Sequence, residues 1–218
     1  MVKNMSIRLG LPGNRYLPHT QTFLRRVNSL PVIGLNRKAS FKLGSCSFDV
    51  SITKARDTIA LVSQAAIEAA IVPDEWLLEH LASAPNSVRI LGSVPWLTVR
   101  LSLFGVPETV WPPTLAQSMV TPFPNLLRAY LKDFGIPVKQ LINVSGSTEG
   151  LVPAVADLGF DTVETGATLS AHSLVEVHTT HQDLALSLVC RPTKESTWTE
   201  CVGELLRQAN EARILKPS

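Results

Sequence analysis

The stretch Asp161-Thr162-Val163-Glu164-Thr165-Gly166-Ala167-Thr168-Leu169 holds the densest group of chemically useful residues in the chain. A short strand pattern carries two carboxylates and runs into a Thr-Gly-x-Thr turn that reads as the opening of a helix. Backbone N–H groups at such a turn, two hydroxyls and a glycine with no side chain in the way suit a phosphate monoester. Asp161 and Glu164 would then stand beside the ribose hydroxyls of a ribose 5-phosphate, or hold Mg²⁺. The alternative is a plain turn and helix cap, because motifs this short recur without function.

Ser145-Gly146-Ser147-Thr148-Glu149-Gly150 leaves a strand pattern in the same way. Its glycines and the hydroxyls of Ser147 and Thr148 could cradle a pyrophosphate, with Glu149 on a metal or a substrate hydroxyl, although small polar residues also fill ordinary turns. Two such loops after neighbouring strands carry more weight than one, since open α/β sheets bind ligands beyond the carboxyl ends of their strands. Leu11-Pro12-Gly13-Asn14-Arg15 is a third loop, and Arg15 is either a phosphate clamp or a surface arginine. His178 and His181 lie in an extended pattern that does not converge two rings on a metal. No Gly-x-Ser-x-Gly elbow is present.

The elements that must position these loops follow from periodicity. Ser6–Pro12 alternates as a strand, and Phe23, Leu24, Val27 and Leu30 give a helix over 19–30. Phe41–Ile52 alternates as a hairpin or sheet edge. Ile59, Val62, Ala66, Ala69 and Ala70 form one stripe, which predicts a helix over 56–71, and a second helix starts at Pro73-Asp74-Glu75. Leu97–Leu103 is a half-buried strand. The five prolines in 106–124 argue against any regular element there. Asn125–Phe134 is a helix, Leu141–Val144 a strand, Ala154–Leu158 helical, Thr162-Val163 a short strand and Leu184–Val189 a strand. Thr197-x-x-Glu200 is a capping box that opens a last helix through Ala212. Alternating strands and helices predict an α/β class with mainly parallel pairing.

Composition excludes several functions. The 218 residues are 45% hydrophobic and only 17% charged, which is too apolar for disorder. Twenty basic against eighteen acidic residues, net +2, give no field for nucleic acid, so no nucleic-acid partner is expected. No window approaches the roughly 20 apolar residues of a membrane span, and the N-terminus has no apolar leader. Three widely spaced cysteines, Cys46, Cys190 and Cys201, argue against a secreted disulfide framework and for a reducing, cytoplasmic compartment. Cys46 and Cys190 are expected to be buried filler. The low charge leaves two explanations open, a surface covered by a partner or clefts lined with neutral residues.

Gly146-Ser-Thr-Glu-Gly-Leu-Val-Pro153, Val155-Ala-Asp157 and Asp161 through Leu174 together resemble the catalytic subunit family of ATP phosphoribosyltransferases, the first enzymes of histidine biosynthesis. That family carries a Gly-Ser-Val-Glu-x-x-Pro loop, a Leu-Ala-Asp and an Asp-x-Val-x-Thr-Gly-x-Thr-Leu loop for phosphoribosyl pyrophosphate. Val120-Thr-Pro-Phe-Pro-Asn-Leu126, Lys54-Ala-Arg56-Asp57, Leu11-Pro-Gly-Asn-Arg15, Arg100-Leu-Ser-Leu and the C-terminal Leu-Leu-Arg-Gln-Ala-Asn are similar to further family segments, in order along nearly the whole chain. The length points to the family's short form, without a regulatory domain.

The resemblance implies two α/β domains with a cleft between them, like a type II periplasmic binding protein. Residues 1–99 and 184–218 would form the first and 100–183 the second. It implies attack of N1 of ATP on ribose C1 of phosphoribosyl pyrophosphate, with loss of pyrophosphate. Arg15, Glu149 and Asp161 are the expected catalytic residues. Asp161, Glu164, Thr165, Gly166, Ala167 and Thr168 would bind phosphoribosyl pyrophosphate, and Arg15, Arg56, Ser147 and Thr148 the nucleotide or pyrophosphate. Mg²⁺ would arrive on the substrate phosphates, its protein ligands unassigned. The implied partners are a regulatory subunit resembling histidyl-tRNA synthetase and a homodimer or hetero-oligomer. Gly13 stands where the family has a lysine, Asn14 where it has a glycine, and the glycines of a substrate loop are replaced around Ala65–Glu75. Those departures raise two alternatives: a paralogue acting on another purine or heterocycle, and a non-catalytic ligand-binding protein.

Overall fold

Alternation in β1 (Met5–Pro12) buries Ile7, Leu9 and Leu11 and leaves Ser6 and Arg8 exposed. β1 is the first strand in a computed structural model that describes residues 5–27, 37–192 and 199–212. These divide into two compact units, the first made of the described residues up to 77, of 84–97 and of those from 185 on, the second of 78–83 and 98–184.

In the first unit β1 leads through a 3-10 turn (Asn14–Tyr16) into α1 (Leu17–Arg26). A two-residue turn with Gly44 at φ +55° joins β2 (Lys38–Leu43) to β3 (Cys46–Thr53), and Phe41 stacks on its cross-strand partner Phe48. α2 (Ala55–Ser63), β4 (Ala69–Pro73), the start of α3 (Asp74–Ser83) and of β5 (Arg89–Gly105), the end of β9 (Val175–Cys190) and α6 (Thr199–Glu211) complete it. The strand order is β2-β3-β1-β4-β9, with β1 parallel to β3 and β4, and the outer pairs β2–β3 and β4–β9 antiparallel. Phe23, Phe48, Leu9, Trp96 and Leu205 share one apolar core.

The second unit contains the end of β5, β6 (Gln117–Thr121), α4 (Pro124–Asp133), β7 (Val138–Asn143), a 3-10 turn (Thr148–Leu151), β8 (Leu158–Val163), α5 (Ala167–Ala171) and the start of β9. Its order is β5-β8-β6-β7. β6 runs parallel to β7 and β8, while β5 is antiparallel to β8. Pairing in the molecule is thus mixed rather than mainly parallel. Glu79, on the last turns of α3, accepts the N–H groups of Asn125 (3.1 Å) and Leu126 (2.8 Å) and so caps α4. Gly159 of β8 lies against the Phe104 ring, and a Cβ there would fall 2.2 Å from it. Gly159→Ala is expected to cost about 1–3 kcal/mol by overpacking, read as a lower urea midpoint at unchanged slope. An unchanged midpoint would show that the ring moves aside freely.

Four expectations are corrected. The helix predicted over 56–71 stops at Ser63, with Ala65 at φ +62°, and residues 69–73 form the fully buried strand β4. A strand covered on both faces reads as a continuous apolar run. Its alanines serve close lateral approach, because a Cβ on Gly10 of β1 would lie 3.2 Å from the Ala70 Cβ. The proline-rich stretch contains β6, which fits between Pro113 and Pro122. Residues 154–157 make one turn closed by the Val155 N–H on the Leu151 carbonyl (2.8 Å), and Leu158 already opens β8. Cys46 is not filler, and the cysteine argument for a reducing compartment falls with that expectation: Cys46 is bonded to Cys201 across 155 residues, because α6 returns to lie over the start of β3 with the two Cα atoms 6.3 Å apart. Cys190 is free and buried. Leu30 and Thr197, the latter the first residue of the capping box, lie outside the described residues.

Candidate active site

Because β6, β7 and β8 are parallel, the chain leaves β7 and β8 at the same edge of the second unit's sheet. The two loops there are the two that the residue types singled out. Thr148, fully buried, donates its hydroxyl to Asp161 Oδ2 at 2.8 Å, while Asp161 Oδ1 accepts the Thr162 N–H at 2.7 Å. This bond ties the loop after β7 to the end of β8. Left-handed conformations at Ser147 (φ +56°) and Gly146 (φ +142°) turn the first loop back, leaving Ser147 exposed and Glu149 half-buried. The loop enters a 3-10 turn and not a full helix.

After β8 the chain passes Glu164 and Thr165 and turns at Gly166, whose φ of +81° strains any residue with a Cβ. The Ala167 N–H donates to Thr165 Oγ1 at 3.3 Å, and buried Leu169 anchors the short α5 in the core. Glu164, Thr165, Ala167 and Thr168 are exposed, so all four are open to solvent.

An ion pair holds this loop. Arg100 of β5 donates Nε to Glu176 Oε2 at 2.7 Å, pairs through Nη2 with Glu176 Oε1, and reaches the Glu164 carbonyl with Nη1 at 3.1 Å. Ser102 adds its hydroxyl to Glu176 Oε2 at 2.8 Å. The Arg100 hydrogen bond keeps the Glu176 carboxyl below the usual carboxylate range. Glu176 escaped sequence reasoning entirely, and Arg100 stood out only inside Arg-Leu-Ser-Leu. No local pattern joins residues 76 positions apart.

In the first unit, β1 and β3 are parallel and carry Arg15 and Arg56 just beyond their ends. Arg15 donates Nη2 to Glu75 Oε1 at 2.6 Å and to the Tyr16 hydroxyl at 2.8 Å, and Tyr16 donates to the same carboxylate oxygen at 2.8 Å. Glu75 is completely buried. Burial pushes its carboxyl upward, against the pull of Arg15. Arg56 is exposed in the first turn of α2, 3.3 Å from Asp57. Gly13 donates its N–H to the Thr53 carbonyl at 2.8 Å, and a Cβ on it would come within 3.2 Å of that oxygen.

His178 and His181 lie on β9 and are engaged separately. His178 Nε2 shares a hydrogen bond with the Tyr130 hydroxyl (2.5 Å), and His181 Nδ1 one with Thr180 Oγ1 (2.9 Å). Among the described residues no three His, Cys, Asp or Glu side chains converge as metal ligands. No helix among them is long and apolar enough to cross a membrane.

The sequence profile described as HisG, ATP phosphoribosyltransferase, matches residues 54–210, a span that takes in both loops of the second unit and the Arg100–Glu176 pair. The chain belongs to the ATP phosphoribosyltransferase family. It is therefore an enzyme of the pentosyltransferase class and of histidine biosynthesis. The ATP phosphoribosyltransferase of Dictyoglomus thermophilum is 26% identical over 211 residues, covering 96% of this chain and 97% of that one. The ATP phosphoribosyltransferase of Psychrobacter arcticus is 31% identical over 174 residues, 78% of this chain and 73% of its own. Among solved structures, the ATP phosphoribosyltransferase (HisG:HisZ) complex of Thermotoga maritima superposes with a TM-score of 0.76 at 20% identity, covering 94% and 98% of the two chains. At that identity it speaks for the fold: two α/β units of the periplasmic-binding-protein-like kind.

Proposed function

We propose that this ATP phosphoribosyltransferase family member transfers the 5-phosphoribosyl group of phosphoribosyl pyrophosphate to N1 of ATP and releases pyrophosphate. The observation that carries the reading is the Thr148–Asp161 hydrogen bond, which unites the loop of Ser147 and Glu149 with the loop of Glu164–Thr168. Thr165, Gly166, Ala167 and Thr168 hold the 5-phosphate through hydroxyls and backbone N–H groups. Asp161 and Glu164 face the ribose, where positive charge develops as the C1–O bond to pyrophosphate breaks and the N1–C1 bond forms. Exposed Ser147 lies toward the leaving pyrophosphate, with Glu149 beside it, whereas Thr148, expected to bind there as well, is buried and acts through its bond to Asp161. Holding the two substrates in line needs no covalent residue.

Mg²⁺ fits this donor set as a guest of the substrate. Both Asp161 oxygens accept hydrogen bonds and Glu164 is exposed, so the edge offers one or two carboxylates and not an all-protein cage. Bound there, the ion would neutralise charge on the pyrophosphate. Loss of pyrophosphate release when EDTA is added is the corresponding test.

Arg15 and Arg56 are the nucleotide-side residues of this reading. A second reading, transfer to another purine or heterocycle, is favoured by Gly13, whose tight approach to Thr53 replaces a family lysine and removes a cation. Incubation with phosphoribosyl pyrophosphate, Mg²⁺ and ATP separates the two. Release with ATP supports the first, and release only with a different acceptor supports the second. A regulatory subunit is the proposed partner, in a hetero-oligomer, and the HisG:HisZ complex of Thermotoga maritima, in which two kinds of chain assemble, supports it. The low charge, with Phe134 66% and Val155 53% exposed, supports a covered surface. No release, alone or with that subunit, would leave ligand binding without catalysis.

Arg100→Gln is expected to weaken phosphoribosyl pyrophosphate binding about tenfold, because the Glu164 carbonyl loses its anchor. Titration calorimetry measures this. Unchanged affinity would show that the loop holds its shape without Arg100.

A further inference from the structure

At the starts of β6 and β8, the ends of these strands away from the Glu164–Thr168 loop, the connection from β5 to β6 folds over a cavity of about 330 Å³. Val106, Val110, Pro113, Leu115, Pro153 and Leu158 form its apolar wall. The polar part of the lining is Thr109, Thr114, Gln117 and two carboxylates, Glu108 and Asp157, with no lysine or arginine.

The cavity is a built feature. The Thr109 N–H closes a turn on the Val106 carbonyl at 2.9 Å. That turn packs on Gly105 so closely that a Cβ there would lie 2.5 Å from Thr109 Oγ1 and 3.0 Å from Leu158 Cδ2. Asp157 is held as firmly. Its Oδ2 accepts the Ser118 N–H at 2.7 Å and the Ser118 hydroxyl at 2.6 Å, and its own N–H donates back to the Ser118 carbonyl at 3.0 Å. These bonds keep the carboxyl below its ordinary range, helped by Lys139 of β7, which does not line the cavity. Val110 and Leu115 stand at the mouth, 73% and 74% exposed. Apolar groups that exposed, around a preformed hollow with oriented charge at its wall, are the features of a ligand site.

We propose that this cavity binds a small organic cation: a compact apolar body carrying an ammonium or amidinium group that meets Asp157 and Glu108. An anion would face two like charges with no basic side chain in the lining, whereas a cation is attracted by both Glu108 and Asp157. The size, at the low end of small-molecule pockets, suits one ring with a short side chain. The phosphoribosyl chemistry uses none of these residues, so the site is independent of the reaction proposed above.

Phenethylamine and phenylacetate share one apolar body and differ in charge, which makes them the probes. With the full chain, saturation-transfer NMR and calorimetry are expected to show saturable phenethylamine binding at about millimolar affinity, with no binding of phenylacetate. Glu108→Gln is expected to weaken it several-fold, and Leu115→Arg, which places a like charge and bulk at the mouth, to abolish it. Both positions are on the surface, so a circular-dichroism spectrum matching the parent is expected for each. Absence of phenethylamine binding, equal binding of the two probes, or binding indifferent to both substitutions would each overturn the proposal.

Discussion

Asp161→Asn is expected to lower kcat/KM for pyrophosphate release by about 10²-fold or more while leaving the thermal midpoint nearly unchanged. The substitution keeps the shape of the side chain. One amide oxygen remains to accept the Thr162 N–H, and the amide nitrogen can donate to Thr148 Oγ1, which now acts as acceptor. The tie between the loops after β7 and β8 therefore survives. In the proposed reaction, what disappears is a negative charge facing the ribose, and a charge aimed at the developing cation acts more strongly in the transition state than in the ground state. The loss should thus fall on kcat more than on phosphoribosyl pyrophosphate affinity. Thr148→Val is the complementary variant. It preserves volume and charge but cuts the tie, so a smaller drop of about tenfold, shared between kcat and KM, is expected. Steady-state kinetics beside a melting curve reads both variants. An Asn variant that retains full kcat/KM would remove Asp161 from the chemistry.

The two loops that meet through that bond were legible because each is a contiguous run: glycine, hydroxyl and carboxylate within six or so positions dictate a turn and its donors locally. Strands such as β1 and helices such as α4 were legible for the same reason, periodicity being a local property. What the sequence hid is what depends on distant partners. Arg100 and Glu176 form one unit only because β5 and β9 pass near each other below the Glu164 carbonyl. Glu79 caps α4 from α3, 46 positions away, so no capping signal is written beside Phe123. Arg15 read as a phosphate clamp or a surface residue, and its ion pair with the completely buried Glu75, 60 positions away, could not be read locally. β4 misled through composition. Alanine favours helices in isolation, but between β1 and β9 its small side chain is what lets Gly10 and Ala70 lie side by side.

Removing the Cys46–Cys201 bond is expected to lower stability by about 2–4 kcal/mol. The two cysteines close a loop of 155 residues, for which the chain-entropy relation gives about 5 kcal/mol as a ceiling. Both sulfurs are buried, so the bond also fixes packing of α6 over the start of β3. Without it α6 keeps Leu205 and Ala209 in the core and the Trp96 indole N–H on the Ala209 carbonyl at 2.7 Å. Its remaining links to α1 include the Arg26–Glu211 ion pair, and exposed pairs contribute little. α6 should therefore be the first element to detach in the reduced protein. For a chain of this length each kcal/mol moves the midpoint by about 2–4 °C, so dithiothreitol is expected to lower Tm by about 5–15 °C. Cys46→Ser/Cys201→Ser should melt with the reduced protein and ignore the reductant. Hydrogen exchange should show faster opening of α6 amides while those of β6 and β8 stay protected. Superimposable oxidised and reduced melts would mean that α6 is held by its apolar face alone.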